Sequence, residues 1–325
     1  MNMTNGRSGR LLSSAVEAIG GTPLVELSRL TGDLNGRILA KLDHLNPGFS
    51  KKDRIARQII EDAEANSTLE PGMTVVELTS GNTGTGLSIV CAIKGYPFVA
   101  VMSRGNSMER ARMMSALGAE VVLVDQAPDS KPGQVSGEDL ELLETETKLI
   151  VKERGAFRAD QFRHQGNFRA HYLNTGPEFL EQSEYEIEAF CDFAGTGGTF
   201  AGCAAALKEH DATIQCYVAE PEGAAALAGR QVTKPGHRIQ GGGYSISELD
   251  FLKPELIDGY LEVTDDRAIE IARRLAREEG IFAGFSSGAN VAAAIDLLRG
   301  PCEGKTVGVV ICDSGLKYLS TDLWE

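Results

Sequence analysis

An α/β fold in two halves, each a mostly parallel sheet flanked by helices, is predicted by three features of the 325-residue sequence. Short β-branched runs alternate with helical ones, glycines stand where the early helices end, and the alternation breaks once in mid-chain. Val75-Val76-Glu77-Leu78, Phe98-Val99-Ala100-Val101-Met102 and Val121-Val122-Leu123-Val124 read as strands buried on both faces, being short, apolar and bounded by Gly or polar residues. Between them Thr85 to Lys94 and Met108 to Leu117 have helical periodicity, and Gly95 and Gly118 stand as their C-caps. Strand, helix, strand order implies parallel pairing through right-handed crossovers.

The break runs from Asp125 to Arg158, where Pro128, Pro132, Gly133 and Gly137 precede the acidic stretch Glu138 to Glu146; it reads as a surface loop and a solvated helix. Strands then resume at Ile187 to Phe193, Ile214 to Ala219 and Thr306 to Cys312. Helices fall at Phe200 to His210, at Asp265 to Glu279 with Ala268, Ile271, Ala272, Leu275 and Ala276 on one face, and at Ala289 to Arg299. The cleft between two such halves is the default ligand site.

Composition narrows the function. Lys plus Arg number 32 against 46 Asp plus Glu, a net charge of −14 that repels phosphate backbones and anionic lipid. A hydrophobic share of 42% is that of an ordinary globular protein. The polar start, Met1 to Arg10, carries no apolar core of signal-peptide length and no later run approaches a membrane span, so a cytoplasmic address is expected. Six cysteines without a CxxC pair read as reduced core thiols, and five histidines without ligand spacing predict no metal site.

Four segments carry chemistry. Asn46-Pro47-Gly48-Phe49-Ser50-Lys51-Lys52-Asp53-Arg54 runs into a helix, where the dipole disfavours an ammonium and suits a nucleophilic amine; alone, an exposed lysine pair is the plainer reading. Thr79-Ser80-Gly81-Asn82-Thr83-Gly84 joins a strand to a helix, offering backbone N–H groups and hydroxyls to a carboxylate or phosphate, or simply capping the helix. Gly195-Thr196-Gly197-Gly198-Thr199 again joins strand to helix, with more glycine than a turn needs; it is neither a Walker A loop nor a dinucleotide fingerprint, so a phosphate-bearing cofactor other than a nucleotide fits it. Gly284-Phe285-Ser286-Ser287-Gly288-Ala289 opens another helix, and one of its serines is spare beyond capping.

In this order the four segments, with Ile19-Gly20-Gly21-Thr22-Pro23-Leu24 before them and Asp313-Ser314-Gly315-Leu316-Lys317-Tyr318-Leu319-Ser320-Thr321 after, resemble one family across essentially the whole chain: the pyridoxal-phosphate (PLP) enzymes of the tryptophan-synthase-like fold (fold type II), in the cysteine synthase and cystathionine β-synthase branch. The resemblance implies PLP in the cleft between a smaller domain, 42–158, and a larger one made of 1–41 plus 159–325. It makes Lys52 the Schiff-base lysine and α-proton base, and Asn82 the partner of the cofactor's 3′ oxygen. Thr79, Ser80, Gly81, Thr83 and Gln161 match the substrate-carboxylate contacts, Gly195, Thr196, Gly197, Gly198 and Thr199 the phosphate cradle, and Ser286 the serine at the pyridine nitrogen. A neutral serine there weakens the electron sink, which suits expulsion of a β-leaving group and disfavours transamination.

The implied activity is β-replacement on L-serine, O-acetylserine or O-phosphoserine through aminoacrylate, as in cysteine synthases, by a homodimer in cysteine biosynthesis. The alternatives are a β-eliminating lyase or dehydratase and, third, β-substitution by an amino-acid nucleophile as in cystathionine synthesis. Phe49, Lys51, Arg163-His164-Gln165-Gly166, Gly241-Gly242-Gly243-Tyr244 and an enlarged Pro128 to Glu146 segment depart from the family pattern, all expected near the mouth or the second-substrate side. Arg163 and His164 in particular suggest a positive approach for an anionic second substrate.

Overall fold

The computed structural model describes residues 11–128, 130 and 137–325. In chain order its regular elements are β1 Leu24–Glu26, β2 Arg37–Lys41, α1 Lys52–Ala65, β3 Val75–Leu78, α2 Asn82–Lys94, β4 Phe98–Ser103, α3 Met108–Ala116, β5 Glu120–Val124, α4 Gly137–Arg154 and β6 Phe157–Arg158. Then come α5 Gly166–Ala170, a π-helical turn His171–Thr175, α6 Gly176–Gln182, β7 Ala189–Phe193, α7 Gly198–His210, β8 Gln215–Pro221, β9 Gly259–Val263, α8 Asp265–Glu278, α9 Phe285–Leu298 and β10 Thr306–Val310.

The chain divides into two compact units. The first comprises Met1–Ile19, described from Leu11 onward, and Asn46–Asn167; the second comprises Gly20–Leu45 and Phe168–Glu325. The sequence reading put residues 11–19 with the larger domain. They lie instead with the smaller, because the turn Ala15–Ala18 packs on α2 and Arg57 donates from Nη1 to the Ile19 carbonyl at 2.9 Å.

The first unit holds an all-parallel sheet in the order β5-β4-β3-β6. Val76, Leu78, Val99 and Val101 are buried in it with Leu143 and Ile150 of α4. The acidic helix is therefore longer than the sequence reading has it and is only half solvated: Asp139, Leu143, Thr147 and Ile150 are buried, four residues or three apart on one face. Asp139 accepts from the Ala127 N–H at 2.7 Å; Pro132 and Gly133 lie outside the described residues.

The second unit holds a six-stranded sheet, β1-β2-β10-β7-β8-β9, parallel except for β1 against β2. Lys41, the last residue of β2, is fully buried, its ammonium 2.7 Å from Glu178 and 2.6 Å from the Thr22 carbonyl. Thr264 accepts from the Arg267 N–H to cap α8, whose buried face carries Ala268, Ile271, Ala272 and Leu275 as predicted. Helices α8 and α9 pack directly on each other, and at Gly288 there is no room for more: a Cβ there would fall inside the Ala268 carbonyl oxygen and lie 2.9 Å from both Cβ and N of Ala272. Neither backbone group can give way, so Gly288→Ala is expected to lower the unfolding free energy by about 1–3 kcal/mol, read as a lower denaturant midpoint.

All six cysteines are buried and none forms a disulfide. Burial pushes the Cys91 and Cys216 thiols up to about 12, which leaves them unreactive, in keeping with core thiols. No helix among the described residues is long and apolar enough to cross a membrane.

Candidate active site

In the first unit the chain makes a tight turn before α1. Asn46 Nδ2 donates to the Ser50 carbonyl at 3.3 Å, the Phe49 N–H donates to the Asn46 carbonyl at 2.8 Å, and the Gly48 N–H donates to the buried Asp53 carboxyl. This turn makes Lys52 the first residue of α1, its N–H on Ser50 Oγ at 3.3 Å. Lys51 is the N-cap and only 7% exposed, so the two adjacent lysines are not an exposed pair. Helix α1 packs on α2. A Cβ at Gly86 would lie 3.0 Å from Ala56 Cβ and 3.1 Å from the Lys52 carbonyl oxygen, so a glycine on α2 lets that helix lie close against the start of α1.

The segment after β3 is held by its own first threonine. Thr79 Oγ1 accepts from the N–H groups of Gly81 and Gly84, each at 3.0 Å, which leaves its hydroxyl hydrogen to donate. Two of the backbone donors expected to meet a ligand are therefore spent internally. Thr83 Oγ1 donates to Gln161 Oε1 at 2.6 Å, and Gln161 Nε2 donates to the Leu78 carbonyl at 3.2 Å. Thr79, Ser80, Gly81, Asn82, Thr83 and Gln161 thus form one cluster, although Gln161 lies 78 residues beyond Thr83. A residue the sequence reading missed completes it: Arg110, 5% exposed, donates from Nη1 to the Ser80 carbonyl at 3.0 Å and its side chain fills the space a Cβ at Gly81 would need. An arginine inside the helical run Met108 to Ala116 was its visible trace.

In the second unit Gly195 to Thr199 turn from β7 into α7, with Gly197 as the N-cap and no side-chain cap bond. The first N–H groups of α7 are thereby left for an anion. A Cβ at Gly195 would meet the Gly241 carbonyl oxygen at 2.7 Å, and the Gly243 N–H donates to the Ala194 carbonyl at 2.9 Å. The departing Gly241 to Gly243 segment therefore backs the glycine loop. His171, in the π-helical turn and fully buried, lies 3.1 Å from Thr199 Oγ1 through Nε2 and 2.9 Å from Thr175 Oγ1 through Nδ1. A glycine-lined loop, an uncapped helix N-terminus and threonine hydroxyls are a donor set that fits a phosphate.

The two serines opening α9 divide their work. Ser287 Oγ accepts from the Cys312 N–H at 2.9 Å, while Ser286 Oγ, in a residue 7% exposed, bonds no other described residue. One turn on, Asn290 accepts from the Phe193 N–H at 2.6 Å and donates to the Val310 carbonyl at 2.8 Å, tying α9 to β7 and β10. The first turn of α9 carries no acid.

Of the two residues expected to make a positive approach, Arg163 is exposed and His164 is half-buried. Arg163 is 71% exposed, with the Asp160 carboxylate 3.9 Å away. Burial pushes the His164 imidazole below its ordinary 6.5, and Nδ1 accepts from the Gly166 N–H at 3.0 Å, so the ring is neutral.

The family model of pyridoxal-phosphate dependent enzymes matches residues 16–313, and the chain belongs to that family. It is a PLP-dependent enzyme of fold type II. A cysteine synthase of Staphylococcus aureus (strain Mu50) is 41% identical over 316 residues, covering 97% of this chain and 97% of that protein. Among solved structures, a hydrogen sulfide-producing enzyme from Fusobacterium nucleatum has a TM-score of 0.88 at 35% identity, covering 97% of this chain and 100% of that one. A cysteine synthase (OASS) from Entamoeba histolytica has a TM-score of 0.89 at 34% identity, with 100% and 94% covered.

Proposed function

We propose that this protein is a cysteine synthase: it replaces the acetate of O-acetyl-L-serine by sulfide at the β-carbon, giving L-cysteine and acetate. The observation that carries the reading is the start of α9, where a near-buried serine without a described protein partner stands in a first turn free of acid. A hydroxyl at the positive end of a helix keeps a pyridine nitrogen uncharged, which suits β-elimination and replacement and not deeper carbanion chemistry. Pyridoxal phosphate, when bound, supplies a sink for the electron pair left at the substrate's α-carbon.

The chain's own residues do the rest. Lys52 would hold the cofactor covalently, and its amine would move the proton at the substrate's α-carbon. Thr79, Ser80, Thr83 and Gln161 would bind the substrate carboxylate on the loop that Gly81 turns with its N–H on Thr79, Asn82 would meet the cofactor's 3′ oxygen, and Gly195, Thr196, Gly197, Gly198 and Thr199 would take the phosphate. A neutral His164 leaves one cation fewer for a large anionic nucleophile, which favours sulfide. The reading includes a cytoplasmic homodimer, which sedimentation of the purified protein tests for size.

Purified protein given O-acetyl-L-serine and sulfide is expected to form cysteine faster than L-cysteine alone releases sulfide; the reverse ratio makes it a lyase, the reading that its likeness to the hydrogen sulfide-producing enzyme favours. Gln161→Ala is expected to raise KM for O-acetyl-L-serine about 10-fold or more, the loss of one hydrogen bond to a charged group, with cofactor content retained.

A further inference from the structure

The carboxylate cluster rests on a residue that neither the sequence reading nor the proposed chemistry uses. Glu77, on β3 two residues before Thr79, is 0% exposed. Its Oε1 faces the Gln161 N–H at 3.5 Å, and the Asp160 N–H also points at the carboxyl. Asp160 sits at a corner with a φ of 42°, and Ala159 donates to the Val76 carbonyl at 3.1 Å, so the strap 158–161 runs on beside β3 at Glu77. From there the connection reaches Thr83 through the Gln161 carboxamide. We propose that Glu77 is a positioning residue for the substrate carboxylate, fixing the backbone at Gln161 and with it the side chain that joins Thr83 and Leu78.

The charge environment supports that role. Arg158 of β6 is the cation nearest in effect, yet its two terminal nitrogens are forked on Glu144 of α4 at 2.6 Å each, and Lys148 joins the same carboxylate at 3.2 Å. Asp160 adds a like charge, and β4 presents no charged side chain. Burial, only partly offset by Arg158, pushes the Glu77 carboxyl up from 4.5 to about 8. At neutral pH it is uncharged, so the loop that must hold an anion is not opposed from beneath. Above that value a buried anion appears behind the loop, repels the substrate carboxylate and is drawn toward Arg158, disturbing Gln161.

The proposal rests on the carboxylate reading of Thr79 to Thr83 and Gln161, and the experiment separates the two. KM and kcat for O-acetyl-L-serine are measured from about pH 6 to about pH 9 in wild type, Glu77→Gln, Glu77→Leu and Gln161→Ala, with cofactor content followed by absorbance. In wild type KM is expected to rise several-fold as pH passes about 8, while Glu77→Gln, which keeps the shape and cannot ionise, stays flat. Glu77→Leu, lacking an acceptor for the strap, raises KM about tenfold at neutral pH with the change on KM and not kcat, and Gln at the same position rescues it. Thermal melts supply a second readout. The folded state keeps a proton that the unfolded chain releases near 4.5, so wild-type stability falls relative to Glu77→Gln between about pH 5 and about pH 8. Parallel wild-type and Glu77→Gln profiles, beside a Gln161→Ala with raised KM, overturn the role of Glu77 alone. An unchanged KM in Gln161→Ala overturns the carboxylate reading itself.

Discussion

Lys52→Ala is expected to abolish covalent attachment of the cofactor and to lower turnover by at least about 10²–10⁴, the range by which a positioned acid–base group accelerates a reaction. On the proposed reading both losses come from one amine, which would hold the cofactor's aldehyde carbon and would also move the α-proton. The structure makes Lys52 the first residue of α1, with its segment set against α2 at Gly86, whereas Lys51 is the near-buried N-cap. Lys51→Ala should therefore keep the attachment and lose stability through lost packing of its stem, by about 1 kcal/mol. Borohydride reduction followed by mass analysis of the peptides separates the two: the pyridoxyl adduct belongs on Lys52, and an adduct on Lys51, or a yellow and active Lys52→Ala protein, reverses the assignment.

The parts of this molecule that were legible in the sequence are those where one physical rule dominates. Strands β3 and β4 were read to within a residue because burial on both faces leaves a bare run of branched apolar side chains, whereas β5, read equally closely, is an edge strand whose valines are only half-buried and not buried on both faces as expected. Helix α2 starts at Asn82, three residues before the predicted Thr85, since the small polar loop residues are themselves its first turn. By contrast β2 was missed because its Arg-Ile-Leu-Ala-Lys run begins and ends on charge, and only the fold reveals that Glu178 and the Thr22 carbonyl receive Lys41. Strand β9, with Tyr260 exposed and Glu262 on its length, hides for the same reason at the sheet's edge.

The candidate site divides likewise. Loops at strand–helix junctions announce themselves by glycine and hydroxyl content, but the pattern does not say which hydroxyl is spent. Ser286 and Ser287 are the same residue one step apart on α9, and a single bond from the Cys312 N–H separates them. Glu77 reads only as a polar residue in an apolar strand, while its partners Asp160 and Gln161 come from 83 and 84 residues further along the chain. No local rule finds such a contact, for it exists only once β6 has paired beside β3.

Gly197→Ala is expected to weaken cofactor binding at least tenfold while the fold survives. At a φ of +81° a side chain costs about 1–2 kcal/mol in backbone strain wherever it is placed. The added Cβ would also lie 3.0 Å from Leu252 Cγ and 3.2 Å from its Cδ2, the end of a flexible side chain that can give by a few tenths of an ångström. Unfolding is thus not the expected outcome. A methyl at the N-cap of α7 instead alters the loop that presents the helix's first N–H groups, and an anion held by such groups loses affinity steeply with small displacement. Gly280→Ala provides the comparison, because its φ of +71° imposes similar strain while a Cβ there meets nothing within 4 Å. Both variants should lose similar stability in a denaturant titration, and only Gly197→Ala should lose affinity for added pyridoxal phosphate. If the two lose cofactor affinity equally, the strain and not the cradle is responsible, and the phosphate belongs elsewhere.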